Sequence, residues 1–571
     1  MFTTRPELQG TFGMVSTSHW LASSAGMAVL ELGGNAFDAA AAAGFVMQVV
    51  KPHVNGPGSE VPILLYAAGE DRLRVINGQG PAPSSASIDA FHELGLDYVP
   101  ATGLLSACVP GAFDAWMLLL RDYGRLSLGQ VLSYAIEYAG GGYPVTPGIT
   151  ADVLKAEGRF RESWPTSAAL YLAGGIPQPG TLFRNPDLAA TYARIVRDAE
   201  AAGGDRESQI ESARNSFYRG FVAEAIDSFI SSFGGADLPV DRHRGFLTAD
   251  DMARYEARWE EPVAADYHGY TVFKNGPSTQ GPVFLQQLML LAGYDLEAMG
   301  HNSVEYIHTI VECAKLAFAD REAWYGDTAF VDVPMADLLS ADYADDRRKL
   351  VGETASGEYR PGTVNGRPPY VGPINTPGRS TAHIAIVDRE GNMVSASPSG
   401  GLMQFSPTIP GVGFSLSERG QAFYLEPEHP NALVGGKRPR TTLSCSIAFR
   451  EGVPYMAFGT PGGDRQDQWN LAFFLAHIHF GMNLQEAIDT PLFHSIHHPR
   501  SFHPHDGYPR ELLVEANMPL AARQGLRKRG HVLVLVDEWT LGWMSAVTRQ
   551  PDGSMRAGAS PREMNAYAVG R

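Results

Sequence analysis

Thr381 opens the run Ser380-Thr381-Ala382-His383-Ile384-Ala385-Ile386-Val387-Asp388, which reads as a β-strand with a hydroxyl at its start and a turn at Glu390-Gly391-Asn392 after it. A threonine hydroxyl is a poor nucleophile unless a base stands beside it. One solution cuts the chain immediately before the threonine, so that its own freed α-amine takes the proton. Here that cut would turn 571 residues into fragments 1–380 and 381–571 of a two-chain amide hydrolase. Attack on an amide carbonyl also needs donors aimed at the developing oxyanion. Gly462-Gly463 offers two adjacent backbone N–H groups in a turn free of obstructing side chains. Arg419, Arg440 and Arg465 are candidate grips for an anionic substrate, and equally candidates for structural ion pairs.

A rival constellation lies further on. His494, His497, His498, His503 and His505, with Asp506, make a histidine-dense segment, and imidazole is a common metal ligand. Pro499 and Pro504 interrupt it, and it lacks the HExxH spacing of a zinc-binding helix. The expectation is a surface or subunit-contact loop, with no metal.

The elements that must position Thr381 are legible in part. Residues 20 to 50 read as one or two buried helices, with small side chains at Ala39 to Ala43 that permit close packing. Residues 61 to 66 and 72 to 77 read as a hairpin, 110 to 140 as helical, and 145 to 260 as several helices with Gly/Pro breaks. Asn302 to Trp324 reads as an amphipathic helix with Ile307, Ile310, Val311, Ala314 and Phe318 on its apolar face. Residues 352 to 379 hold six glycines and five prolines without periodicity, the composition of an exposed linker that ends just before Thr381. Strands are expected at 382 to 388, 393 to 397, 444 to 449 and 454 to 458, and helices at 467 to 480 and 484 to 489. Such a mixture fits a layered α/β arrangement.

Composition narrows the field. With 44% hydrophobic and 19% charged residues, the chain is globular rather than disordered. Its 62 acidic against 45 basic residues, a net charge of -17, argue against nucleic-acid or anionic-membrane partners. Cys108, Cys313 and Cys445 are too scattered for a zinc site or disulfide framework. Met1 to Pro6 has no apolar leader and no segment reaches 18 uninterrupted apolar residues, so the expected location is cytoplasmic.

In order along the chain, these pieces resemble the γ-glutamyltranspeptidase family of N-terminal nucleophile hydrolases. Gly33-Gly34-Asn35-Ala36-Phe37-Asp38-Ala39-Ala40 is similar to the family's GGNAxDAA. Val109-Pro110-Gly111 with Trp116, Gly245-Phe246-Leu247-Thr248-Ala249-Asp250-Asp251, and Leu316 to Arg321 with Tyr325-Gly326-Asp327 continue the match. Thr381-Ala382-His383 with Val387-Asp388, Gly391-Asn392-Met393-Val394-Ser395, Lys437-Arg438-Pro439 and Gly459-Thr460-Pro461-Gly462-Gly463 complete it. The resemblance implies a four-layer αββα sandwich built jointly by both fragments, which pair as an αβ heterodimer that can assemble further. It implies Thr381 as nucleophile and cleavage point, Gly462 and Gly463 as oxyanion hole, and Ser399 as a hydroxyl that orients the nucleophile. Thr441 and Thr442 fall where the family has two serines that bind a substrate carboxylate. No cofactor is implied.

The departures bear on substrate. Where typical members carry an arginine that grips the α-carboxylate of a γ-glutamyl group, this chain has Gln79. Where they have paired aspartates for the α-ammonium, it has Arg419-Gly420-Gln421-Ala422-Phe423. Arg419 and Gln421 thus stand where substrate contacts are expected, and glutathione should be poor. The segment is similar to a divergent cytoplasmic subgroup that includes oxamate-hydrolysing and cephalosporin-acylase-like enzymes. Gly56 to Val61 departs from the family's glycine run. The expected activity is cleavage of a small acyl amide through an acyl-enzyme, with transfer to an amine alongside hydrolysis. The alternatives are a catalytically silent relative that binds an amide metabolite, and a metallohydrolase using the segment His494 to His505.

Overall fold

The computed structural model describes residues 2–234, 239–371 and 381–571. The boundary expected at 380/381, and the end of the linker before it, lie outside the described residues.

Two seven-stranded sheets stack face to face. One runs Leu8–Gly10, Met555–Ala559, Ser545–Arg549, Val453–Gly459, Ser446–Arg450, Tyr270–Lys274, Val263–Tyr267. The other runs Tyr567–Gly570, Gly13–Thr17, Ile384–Asp388, Met393–Ala396, Val61–Ala67, Arg72–Gly78, Arg258–Glu260. The pairings within both sheets are antiparallel.

The strand after Thr381 shows why the stack has four layers. Side chains alternate across a strand. Ala385 and Val387 join the core between the sheets, with Met14, Leu64, Ile447 and Val547. Ile384 and Ile386 face the other way, into a core shared with the helices Trp20–Glu31, Ala36–Val50 and Ala112–Tyr123. Beyond the other sheet, Gly281–Leu291, Val304–Trp324 and Gln466–Phe480 form the second helical layer. Both faces of the central strands are buried, so Gly13–Thr17, Val61–Ala67, Ile384–Asp388 and Met393–Ala396 carry no exposed position, whereas the edge strand Val263–Tyr267 alternates. The αββα expectation is met.

Local chemistry sets the elements. Asn35 caps Ala36–Val50 in a capping box with Asp38. Small residues let this helix approach its neighbours: a Cβ on Gly44 would stand 2.5 Å from the Trp116 ring. Asp388 ends its strand by accepting from the Glu390 and Asn392 N–H groups at 3.0 Å, and its other oxygen takes the Ala36 N–H at 2.9 Å. One carboxylate therefore ties the hairpin that follows Thr381 to the helical layer.

Both prospective fragments interleave in each sheet. The strand Ile384–Asp388 lies between Gly13–Thr17 and Met393–Ala396, so separating the halves would strip the core.

Two expectations need correction. Val304–Trp324 is not amphipathic: every residue from Tyr306 to Trp324 is buried. Its polar positions are neutralised in pairs, Lys315 with Glu312, Asp320 with Arg347, and Glu322 with Arg440. The histidine segment is not a surface loop either, since His494, His497, His498, His505 and Asp506 are buried. His498 stacks on Phe318 at 3.8 Å, and the His497 ring nitrogen meets the Glu358 carbonyl at 3.0 Å. The segment joins the first half of the chain to the second, which is the subunit-contact part of the expectation. Among the described residues, no helix is long and apolar enough to cross a membrane.

Candidate active site

Thr381 is buried at the entry to its strand. The lead-in is fixed by a reciprocal pair. The Ser18 N–H donates to the His383 carbonyl at 3.0 Å, and the His383 N–H donates to the Ser18 hydroxyl at 2.9 Å. His383 follows Thr381 too closely to be ignored as a base. Burial, with the Lys274 charge nearby, pushes its imidazole down to about 3. Its Nε2 is engaged with the Ser395 hydroxyl at 3.1 Å. An imidazole this reluctant to take a proton is a weak base at neutral pH.

The glycine pair comes from the other sheet. It follows the strand Val453–Gly459 and precedes the helix Gln466–Phe480. Gly462 sits at φ +142°, and a Cβ there would meet the Trp469 ring at 2.4 Å. Both glycine carbonyls are occupied. Arg465 Nε donates to the Gly462 carbonyl at 2.9 Å, and Gln280 Nε2 to that of Gly463 at 3.3 Å. Among the described residues, neither glycine N–H has a backbone acceptor. Two free donors at the start of a helix, where its dipole is positive, suit a developing oxyanion.

Gln466 connects the two sheets at this point. Its Nε2 lies 3.4 Å from Thr381 Oγ1, and its Oε1 is buried without a partner. Sequence reasoning passed over Gln466, and its only signal was its place three residues after the glycine pair. Asp464 anchors the same turn by accepting from the Ser501 N–H and hydroxyl and from Arg321. The Arg321 guanidinium holds its carboxyl well below the usual range, against the opposing effect of burial.

The remaining sequence-predicted residues form two clusters. In the first, Gln79 Nε2 donates to Thr441 Oγ1 at 2.7 Å and to the Ser278 carbonyl at 3.2 Å. Its Oε1 accepts from the Ser278 hydroxyl at 3.1 Å, so the carboxamide is locked. Thr442 Oγ1 is buried with no partner. Gln79 lines a cavity of about 360 Å³ with Asp251, Asp327 and Arg438.

In the second, Arg419 Nη2 donates to Ser399 Oγ at 2.8 Å, and Arg419 Nε pairs with Glu60. The other Glu60 oxygen takes the Ser417 hydroxyl at 2.8 Å, while the Glu60 and Ser399 backbones pair at 3.0 and 3.1 Å. The unusual Gly56 to Val61 segment thus supplies the carboxylate that holds Arg419. Burial still pushes that carboxyl upward against the pull of Arg419. Gln421 donates to the Glu418 carbonyl at 3.1 Å. Among the described residues, no hydrogen bond joins Ser399 to Thr381.

Arg440 is a structural partner, bound to Glu322 at 2.7 Å and to the Arg321 carbonyl at 3.0 Å. Among the described residues, the His/Cys/Asp/Glu group compact enough to consider for a metal is His308, Glu312 and His531, none of them from the histidine segment. Its donors are already engaged: His308 Nδ1 and His531 Nε2 share a 2.9 Å hydrogen bond, and Glu312 holds Lys315 and Arg360. This donor set does not fit a metal as it stands.

Comparison with known proteins agrees with this geometry. Residues 22–570 match the family model for gamma-glutamyltranspeptidase. The glutathione hydrolase-like YwrD proenzyme of Bacillus subtilis is 32% identical, with 97% of each chain covered. The solved structure of LmbA2991HD superposes with a TM-score of 0.95 at 49% identity over 100% of each chain. Cephalosporin acylase from Bacillus halodurans gives a TM-score of 0.85 at 31% identity, over 100% of this chain and 97% of that one. By its sequence match, its αββα stack and the meeting of strand, glycine turn and helix at Thr381, the chain belongs to the gamma-glutamyltranspeptidase family.

Proposed function

We propose that the protein is a self-processing amidohydrolase in which Thr381 is the nucleophile, acting on a small acyl amide other than glutathione. The carrying observation is the convergence of Thr381 from one sheet with Gly462-Gly463 and Gln466 from the other. Cleavage of the Ser380–Thr381 peptide frees the Thr381 α-amine. That amine takes the hydroxyl proton as Oγ1 attacks the substrate carbonyl carbon. The Gly462 and Gly463 N–H groups stabilise the oxyanion. Collapse breaks the C–N bond, and the proton passes to the leaving amine. Water then hydrolyses the acyl ester, or an amine acceptor takes the acyl group. With His383 held neutral and hydrogen-bonded elsewhere, the α-amine is the better base.

Substrate choice follows from the side chains that replace a glutamate clamp. Gln79 carries no charge and is locked on Thr441, and Arg419 is spent on Glu60. A γ-glutamyl head group would leave its charges poorly matched, which costs a few kcal/mol per desolvated charge. The interleaved sheets support a heterodimer of fragments 1–380 and 381–571 that stays together after cleavage. Three buried cysteines without a disulfide fit the cytoplasm.

The deciding experiment is a denaturing gel with intact mass. Cleavage before Thr381 gives fragments of about 41 and 21 kDa by chain length. Thr381→Ala gives one chain and no amide turnover. A wild-type chain that stays whole, or a cleaved T381A, overturns the assignment.

A further inference from the structure

Arg465 is the arginine of the three candidate grips that the fold leaves unspent. Arg419 is paired with Glu60 and Arg440 with Glu322. Arg465 uses Nε on the Gly462 carbonyl and lies over the Trp469 ring, 5.2 Å from its centroid. Among the described residues it has no carboxylate within ion-pair distance. The two acids nearest in effect are committed elsewhere, Asp464 to Arg321 and Glu563 to Lys51 at 3.2 Å. A partly buried guanidinium without a counter-charge is an unmet demand, because its desolvation is not offset.

Its outer face lines a cavity of about 680 Å³, with His53, Lys155, Arg159, Gln404 and Glu563 around it. That volume suits a small metabolite. The other lining charges are balanced: Lys155 by Asp152 at 2.9 Å, Arg159 by Asp241 at 3.3 Å, and Glu563 by Lys51. The surplus charge on the wall is therefore that of Arg465. Its position in the chain matters as much. The preceding turn is the glycine pair, and the next residue, Gln466, reaches Thr381 Oγ1. Arg465 thus shares with the glycine turn and Gln466 one short stretch of chain, and its Nε holds the Gly462 carbonyl.

We infer that this cavity binds a small carboxylate on Arg465, a ligand site beside the glycine turn. The planar guanidinium fork matches a carboxylate in two parallel hydrogen bonds. In a protein of net charge -17, a local cationic pocket also concentrates anions that the rest of the surface repels. The inference rests on the Thr381 reading for its relevance to catalysis, but binding can be measured without turnover.

The test is calorimetric titration of the full-length protein with succinate, and with succinamide as the uncharged control. T381A is titrated alongside, so that a failed nucleophile assignment does not mask anion binding. Wild type and T381A are expected to bind succinate at least tenfold more tightly than succinamide. R465Q should weaken succinate at least tenfold, with R465K between. Should R465Q fail to fold, A151W on the facing helix Pro147–Glu162, which fills the cavity, decides in its place by abolishing binding. Equal binding of succinate and succinamide, or succinate binding unchanged in R465Q or A151W, overturns the inference.

Discussion

The Gln466 carboxamide nitrogen stands 3.4 Å from the Thr381 hydroxyl oxygen, and it does so from the first residue of the helix that follows the glycine pair. Thr381 leads into a strand of one sheet and the glycine pair follows a strand of the other, so their relative position depends on the packing between sheets. Gln466 reaches Thr381 Oγ1 from the helix after the glycine pair, and Ser395 bridges the sheets nearby by donating to the Phe458 carbonyl at 3.2 Å. A donor on Oγ1 turns the hydroxyl so that its own proton is available to the base. Gln466→Ala should therefore slow acylation about tenfold, the worth of one hydrogen bond of about 1.4 kcal/mol, with KM nearly unchanged. Self-cleavage should slow in parallel, because it uses the same hydroxyl. Single-turnover acylation by a chromogenic anilide checks the first effect and a time course of intact mass the second. Unchanged rates would make the contact incidental.

Gly462→Ala separates geometry from chemistry. The new Cβ would enter the Trp469 ring at 2.4 Å on a backbone at φ +142°, so the turn must move. Loss of an oxyanion donor typically costs a factor of about 100 to 1,000 in kcat. We expect a loss of this size, with a stability loss of about 1–3 kcal/mol from backbone strain. Urea denaturation beside steady-state kinetics distinguishes them. A variant that keeps its kcat removes Gly462 from the oxyanion hole.

Glu60→Gln should destabilise strongly, because it strands a buried guanidinium. Removing one partner of a buried pair costs about 3–5 kcal/mol, whereas replacing both by apolar residues is often neutral. The double variant Glu60→Leu/Arg419→Met should therefore recover most of the stability lost in Glu60→Gln. It should not recover activity if the Arg419 contact to Ser399 at 2.8 Å matters for substrate. Urea midpoints for the three proteins provide the cycle. A double variant as unstable as the single one refutes the ion-pair explanation.

Much of this is legible in the sequence, and the reasons differ by element. The helices and the hairpin at 61 to 78 were readable because their periodicity and caps are local. The strand after Thr381 is readable because an apolar run and an Asp-x-Glu-Gly-Asn turn sit together. The strands Val263–Tyr267 and Tyr270–Lys274 and the whole C-terminal set from Glu511 onward were missed. Val263–Tyr267 with Tyr270–Lys274, and Ser545–Arg549 with Met555–Ala559, are local hairpins whose turn signals were passed over. For Tyr567–Gly570 the partner, Gly13–Thr17, lies far away in sequence. The buried face of Val304–Trp324 was misread for the same reason. Glu312, Lys315 and Glu322 look like solvent residues until Arg360, Arg440 and Tyr424 arrive from elsewhere. At the site, Thr381 and the glycine pair announced themselves by type. Gln466 and Glu60 did not, since a glutamine at a helix start and a glutamate in a loop have no chemistry until their partners are known.

Asp464 gives the pH dependence. It joins Arg321 in the first half of the chain to Ser501 in the second, beside Gly463. Its carboxyl is held well below the ordinary range by Arg321, so the folded state binds the proton more weakly than the unfolded one. The sign follows directly. The pair contributes its full stability above the unfolded carboxyl's value, near 4, and loses it as pH falls toward the lower folded value. The slope for one such group is at most about 1.4 kcal/mol per pH unit. Asp464→Asn leaves Arg321 with Glu322 as its remaining carboxylate partner and, as the loss of one charge-assisted hydrogen-bonded contact, should cost about 1.5–3 kcal/mol at pH 7. The gap to wild type should hold from pH 7 to 5 and narrow below 4, because only the wild type loses this interaction on acidification. Urea unfolding of both proteins at pH 7, 5 and 3.5 measures it. A gap that stays constant into acid would mean that Asp464 does not carry the charge assigned to it, and that Arg321 is held by Glu322 alone.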